Sequence, residues 1–282
     1  MKLSKPILVG GLLLGGAAVA AAIRSCRTAM AEAEEAWQAI TERSAVTGET
    51  FSHASIVALP EIARRYFTHA IADGTPLRSC VELQMHGHFL LGDAKRHHRF
   101  AMTAREVLRP PGAFVWMPKM RSGPMTMSGS DALVGEVSWT RFWLMGLVRV
   151  ADAHGPDIVR SASFRSAMES IWVPPSLLPD NGAQWEQTGP DTAQITITAV
   201  RPEIELELVL GPSGAVEQIK GLRWSNANSS GAFQLQPFGG TVSEERTFSG
   251  FTIPSRMAVG NHFGTKDYFP FFETEIVGAT FR

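Results

Sequence analysis

Cysteine is scarce. The 282 residues contain two, Cys26 and Cys80, which excludes a disulfide framework and any zinc site built mainly from thiolates. An excess of one charge is lacking too: Lys and Arg total 26 against 27 for Asp and Glu, a formal net charge of -1. No field draws the chain onto a polyanion, and nucleic acid is not an expected partner. Glycine-rich phosphate loops, dinucleotide fingerprints and a G-x-S-x-G elbow are missing, so neither a cofactor nor an established catalytic signature is expected. Between residues 59 and 282 there is no internal repeat, charge block or Ser/Gly/Pro linker, and this stretch reads as one domain. What remains is apolar. Hydrophobic residues make up 44% and charged residues 19%, enough for a sizeable core.

The longest uncharged run is Ile7 to Ile23, with Lys2 and Lys5 before it and Arg24 and Arg27 after it. At ~1.5 Å per residue it reaches roughly 25 Å, slightly short of the ~30 Å hydrocarbon layer. It reads as a transmembrane signal anchor covering residues 1–27, with residues 7–23 in the membrane. Cleavage at an A-x-A-like site among Ala18, Ala20 and Ala22 is the alternative. Acylation of Cys26 is opposed by Arg24, which stands where a small or apolar residue is needed. Lys2, Lys5 and the α-amino group favour an inside N-terminus, which puts the bulk of the chain on the outer, periplasmic or extracellular side. Residues 28–58 form a helical and polar connector, since Thr28–Arg43 is rich in helix formers that can continue the first helix.

From residue 59 the pattern changes twice. Pro60-Glu61 suits a helix start and Asp73-Gly74 its end, with Ile62, Tyr66, Phe67 and Ala70 on the apolar side. From Arg78 the period becomes two: Val81, Leu83, Met85 and Phe89 alternate with Glu82, Gln84, His86 and His88. A hairpin turn at Leu91–Ala94 leads to a partner strand with Phe100, Met102 and Ala104 on one face. Alternation returns at Ile195–Thr198, Glu203–Leu208, Thr241–Phe248 and Phe271–Arg282. Gly211–Gly214, Gly239-Gly240 and Asn261–Thr265 read as the turns between. One helix interrupts, from Gly155-Pro156-Asp157 to about Trp172, with Ser161, Phe164, Met168 and Ile171 on its packed face. Arg165–Glu169 and Asp157–Arg160 have the spacing of helix-surface ion pairs. The fold class is therefore mainly β (α+β): a large antiparallel sheet with a packed helix, preceded by one transmembrane helix.

A set of short landmarks carries a resemblance over roughly residues 55 to 282: Leu59-Pro60 with Arg64-Arg65-Tyr66, Phe114-Val115-Trp116, Gly129-Ser130-Asp131, Gly155-Pro156-Asp157 with Ser161, Trp172-Val173-Pro174, Leu177-Leu178-Pro179, Pro237-Phe238-Gly239, Glu245-Arg246 and Thr252-Ile253-Pro254-Ser255. Together they resemble a bacterial family of unknown function with membrane-anchored or cytosolic β-rich members. The resemblance carries no catalytic residues. In outline only, one membrane segment followed by helix and long antiparallel sheet is similar to the LolA/LolB-type lipoprotein carriers, whose half-barrels hold acyl chains; that resemblance implies a large curved, half-barrel-like sheet here.

Candidate sites follow from side-chain chemistry. Met117, Met120, Met125, Met127 and Met145 cluster between Phe114 and Gly146, and Trp116, Trp139 and Trp143 lie among them. Such adaptable side chains suit a cavity for a flexible apolar ligand, and equally suit a core. The ligand-binding candidates are Trp116, Met125, Met127 and Trp143, with Arg160 or Arg165 available to an anionic head group. A polar cluster around His262, with Asp157, Arg160, Arg165, Glu169 and Glu245-Arg246, supplies the weak catalytic candidates His262, Asp157 and Glu169. His86, His88, His97 and His98 share a predicted hairpin, but Lys95, Arg96 and Arg99 beside them oppose a dication, and no metal is expected. The sequence thus points to a membrane-anchored, non-catalytic binder of a lipid-like or other apolar molecule. The alternatives are a hydrolase centred on His262 and a scaffold for a membrane complex, and whether the chain is an enzyme stays open.

Overall fold

The computed structural model describes residues 5–44 and 48–282, with side chains from position 16 onward. The first helix, α1, runs Lys5–Glu42, so the Thr28–Arg43 segment does continue the N-terminal helix. Among the described residues no helix is long and apolar enough to cross a membrane. Much of Ile7–Ile23 lies outside the residues whose side chains are described.

Among the described residues thirteen strands join one antiparallel sheet. Six form the first arm: β1 Val81–Gly92, β2 His97–Arg109, β3 Ala113–Ser122, β4 Met125–Val134, β5 Val137–Leu144 and β6 Val148–His154. Seven form the second: β7 Ala183–Gln187, β8 Thr192–Ile197, β9 Ile204–Leu210, β10 Val216–Ser225, β11 Gln234–Phe248, β12 Phe251–Asn261 and β13 Phe269–Phe281. Each arm is a meander, and pairing of β1 with β13 welds them, leaving β6 and β7 as free edges. A twisted sheet this wide curls, and the result is an open, curved sheet.

The chain must travel from one free edge, β6, to the other, β7, and it does so across the concave face. Helix α3, Pro156–Met168, and three short 3-10 turns between Glu169 and Asn181 make this crossing. Pro156 and Asp157 occupy the first turn of α3, as their chemistry favours. Ser161, Phe164, Met168 and Ile171 are all buried. At Gly221 on β10 a Cβ would stand 2.9 Å from the Phe164 ring and 2.8 Å from the Glu205 carbonyl oxygen, so only glycine lets α3 press this closely on the sheet. Helix α2, Glu61–Ala70, closes the second arm with Ile62, Tyr66 and Phe67.

The convex face carries α1. Ala33, Trp37 and Ile40 pack on Val107, Val115, Met117, Ala132 and Trp139. Glu34 pairs with Arg105, whose guanidinium lies 4.8 Å from the centre of the Trp37 ring, and Glu32 pairs with Arg141. Strand β3 is consequently buried on both faces, with Phe114, Trp116 and Met120 in the main core and Val115 and Met117 beneath α1.

Two sequence expectations are corrected. Gly239-Gly240 is no turn but lies within β11, where a Cβ on Gly239 would come 2.6 Å from the Ile219 carbonyl oxygen and one on Gly240 would strike that of Ala258. These glycines allow close strand approach, a role that single-sequence pattern does not separate from turning. Asp157 and Arg160 do not pair: Asp157 accepts from Trp224 Nε1 at 2.7 Å, while Arg160 lies over the same ring at 4.0 Å.

Candidate functional site: an apolar cavity with an ionic floor

Between α3 and the concave face lies a cavity of about 440 Å³. Its walls are apolar and come from both arms: Met120, Met127 and Phe142 from the first, Met257, Val259 and Phe271 from the second. Aromatic rings link around it. Trp116 stands 6.1 Å from Phe89, 6.1 Å from Phe142 and 5.9 Å from Phe272, and Phe238 stands 6.1 Å from Phe271. The volume and the dominance of Met and aromatic side chains are those of a small-molecule pocket of ~300–1,000 Å³. Leu91 and Val150 line it while remaining 43% and 50% exposed, which places an opening near the end of the sheet that carries the β1–β2 and β5–β6 turns.

The floor is ionic. Arg165 of α3 donates to three carboxylates at once: Nη2 to Glu106 Oε1 at 2.6 Å, Nη1 to Asp131 Oδ2 at 2.7 Å and Nε to Glu169 Oε1 at 2.7 Å. Its guanidinium lies 4.3 Å from the Phe114 ring centre and 5.3 Å from that of Trp116. The Arg165–Glu169 pair is thus no helix-surface pair. The i, i+4 spacing held, but the sheet covers it. Burial alone would depress Arg165, and the three acids outweigh it and hold it protonated.

Glu106 is fully buried, and its Oε2, like that of Glu169, has no hydrogen-bond partner. Burial, then the Glu169 charge, push Glu106 well above the usual carboxylate range, and burial also raises Glu169. Burial and their mutual repulsion thus favour a proton on this pair of carboxyls. With it, three acids and the two guanidiniums of Arg165 and Arg223 are electrically balanced.

Sequence-selected residues scatter about this centre. Trp116, Met127, Arg165 and Glu169 line the cavity. Met125 packs on the main core without lining it. Trp143 is buried on the opposite face, near α1. Arg160 borders a separate, broad groove of about 1120 Å³ under the outer side of α3. His262, at φ 60°, turns its Nε2 to the Ala227 carbonyl at 3.2 Å, and Asp157 is engaged with Trp224. Glu245 bonds His69 and Arg246 bonds Glu275, so the polar cluster around His262 is not assembled.

Nor do the hairpin histidines converge. His88 faces Ala101, His97 faces Gly92 and His98 faces Leu91, because the turn is made by Asp93–Arg96, two residues later than the expected Leu91–Ala94. His88 instead meets Arg99 and Glu273. Among the described residues no three His, Cys, Asp or Glu side chains are grouped to hold a metal. Missed altogether were Glu106, Asp131 as a charge partner, and Arg223. Only Glu106 left a trace: it occupies the inward phase set by Phe100, Met102 and Ala104.

Residues 49–274 match the model of a family described only as a family of unknown function, DUF6544, and the chain belongs to that family. Among solved structures it is similar to a LolA superfamily protein from Nitrosomonas europaea, at 7% identity and a TM-score of 0.45, over 82% of this chain and 94% of that one. It is also similar to a putative outer membrane lipoprotein-sorting protein domain from Vibrio parahaemolyticus, at 10% identity and a TM-score of 0.38, over 79% and 91%. A DUF1329 family protein from Desulfovibrio piger follows, at 9% identity and a TM-score of 0.31, over 78% and 90%. No curated protein matches.

Proposed function

We propose that this protein binds a molecule with a long apolar part in the cavity beneath α3 and holds it without covalent chemistry. The observation that carries the reading is the cavity itself: about 440 Å³, walled by Met, Phe and Trp from both arms and strapped by a helix. Affinity comes from apolar burial at ~25 cal/mol per Å². Met and aromatic walls adapt to a flexible chain.

The site of action in this reading is a membrane surface, with residues 7–23 as the anchor and the β-rich part on the outer side. The β5–β6 turn supports it. Met145, Leu147, Val148 and Val150 are 40 to 58% exposed there, at the end of the sheet where the cavity opens. Residues 17–32 of α1 run beside the same hairpin, next to Trp143 and Arg149. An apolar tip beside an anchor gives an amphiphile a short path from bilayer to cavity. The hydrolase alternative has less support, since His262, Asp157 and Glu169 each serve a different partner.

The test is native mass spectrometry with organic extraction of the full chain purified from membranes in a mild detergent. A one-to-one lipid-class adduct is expected, and it should vanish when Met127→Trp and Met257→Trp together fill the cavity. A bare wild-type chain, reproduced in a second detergent, overturns the proposal.

A further inference from the structure

Two guanidiniums face the cavity, and they are not alike. Arg165 spends its donors on three carboxylates. Arg223, on β10, makes one hydrogen bond, from Nε to Ser161 Oγ at 3.0 Å, and lies over the Phe238 ring at 4.8 Å. Its two terminal nitrogens have no partner among the described residues, yet the side chain lines the cavity and is largely buried. Ser161 from α3 and Phe238 from β11 hold the guanidinium in place and leave its outer edge open to the pocket.

We propose that Arg223 is the anion-recognising residue of this cavity, and that the bound molecule is an acid amphiphile whose single carboxylate or phosphate head meets the Arg223 terminal nitrogens while its chain lies among Met120, Met127, Phe142 and Met257. This rests on the cavity-binding reading above and adds the head-group chemistry. A planar guanidinium with two adjacent N–H groups free is the geometry that takes such a head in bidentate fashion. Arg160, expected from the sequence to do this, lies in the other groove over Trp224.

The neighbouring acids do not forbid an incoming anion. The charged groups that face Arg223 are Asp131 on β4, Glu169 after α3 and Arg165 on α3, with Glu106 on β2 beyond Arg165. Asp131 is committed to Arg165. Glu106 and Glu169 already favour protons, so a second proton on that pair restores balance when the head group binds. Burial brings Arg223 down to about 10, which leaves it a cation at neutral pH.

The experiment is a binding titration of the full chain in detergent-free nanodiscs with hexadecanoic acid, hexadecyl phosphate and hexadecanol, compared across wild type, Arg223→Gln and Arg223→Lys. Wild type should bind one or both acids about tenfold or more tightly than the alcohol, the range of a charge-assisted hydrogen-bonded pair. The stronger of the two identifies the head as carboxylate or phosphate. Arg223→Gln should lower acid binding by at least tenfold more than it changes alcohol binding, and Arg223→Lys should keep the acid preference. A circular dichroism spectrum and thermal midpoint of Arg223→Gln close to wild type certify that the variant folds. Equal binding of acids and alcohol by wild type, or an acid preference that survives Arg223→Gln, overturns the assignment but leaves the cavity reading intact. Failure of all three probes to bind removes the cavity reading itself.

Discussion

Replacing Arg165 by methionine keeps most of its bulk and its contact with Phe114 and Trp116, but leaves Glu106, Asp131 and Glu169 facing one another. With one proton on the Glu106 and Glu169 pair, three acids and two guanidiniums balance. Without Arg165 a second proton is needed for the same balance. Keeping a proton at about pH 7 on a carboxyl that ordinarily titrates near ~4.3 costs about 4 kcal/mol, at 1.36 kcal/mol per unit. That agrees with the ~3–5 kcal/mol lost when one partner of a buried ion pair is removed. At about pH 5 the same proton costs only about 1 kcal/mol. Arg165→Met should therefore destabilise the protein by about 4 kcal/mol near neutrality and recover most of that loss near pH 5. The measurement is denaturant unfolding of wild type and variant at both pH values, with m-values compared to confirm the same transition. A loss below ~1 kcal/mol at neutral pH, or a loss of equal size at both pH values, would show that the cluster is not the closed charge system described.

The His69–Glu245 bond at 2.7 Å raises the His69 pKa, so its contribution to stability is complete below the ordinary histidine value and is lost as pH rises through the higher folded one. Thermal midpoints followed between about pH 6 and pH 9 should fall for wild type relative to Glu245→Gln, and parallel curves would refute this. Trp37 is buried between α1 and the convex face, so Trp37→Ala should cost roughly 3–5 kcal/mol and expose the α1 backbone after Glu32 to protease. Unaltered cleavage there would mean that α1 is held by something other than this contact.

The parts of the fold that could be read beforehand are those with a single buried face. Helices α2 and α3 and the β1–β2 hairpin announce themselves by period, and so do β8, β9, β13 and the latter part of β11. Strand β3 did not. With α1 on one side and the main core on the other, Ala113 to Met120 carries apolar residues at nearly every position, and alternation disappears. The cavity was half visible through its methionines and Trp116, but Trp143 and Met125 show that abundance along the chain does not say which face a strand presents. The ionic floor was least visible. Arg165 and Glu169 are neighbours on one helix, whereas Glu106, Asp131 and Arg223 come from three strands and meet them only through sheet register and the path of α3. Several landmarks of the family resemblance, Phe114, Trp116, Asp131, Ser161, Trp172 and Phe238, border this cavity or its charges.

Helix α1 has a mechanical meaning. From Ala17 to Glu42 it contains neither proline nor glycine, the usual sources of a sharp bend, and its last turns are riveted to the back of the sheet. A flexible tether of the same number of residues would let the sheet wander at roughly 5–6 Å times the square root of its length and present any side to its surroundings. A stiff rod of about 39 Å over these residues grants no such freedom at ~1.5 Å per residue. Whatever grips the front of the rod sets the azimuth and tilt of the sheet, and with them the compass bearing of the cavity's opening. If the proposed apolar ligand is exchanged there, the exchange takes place through a port held in one direction.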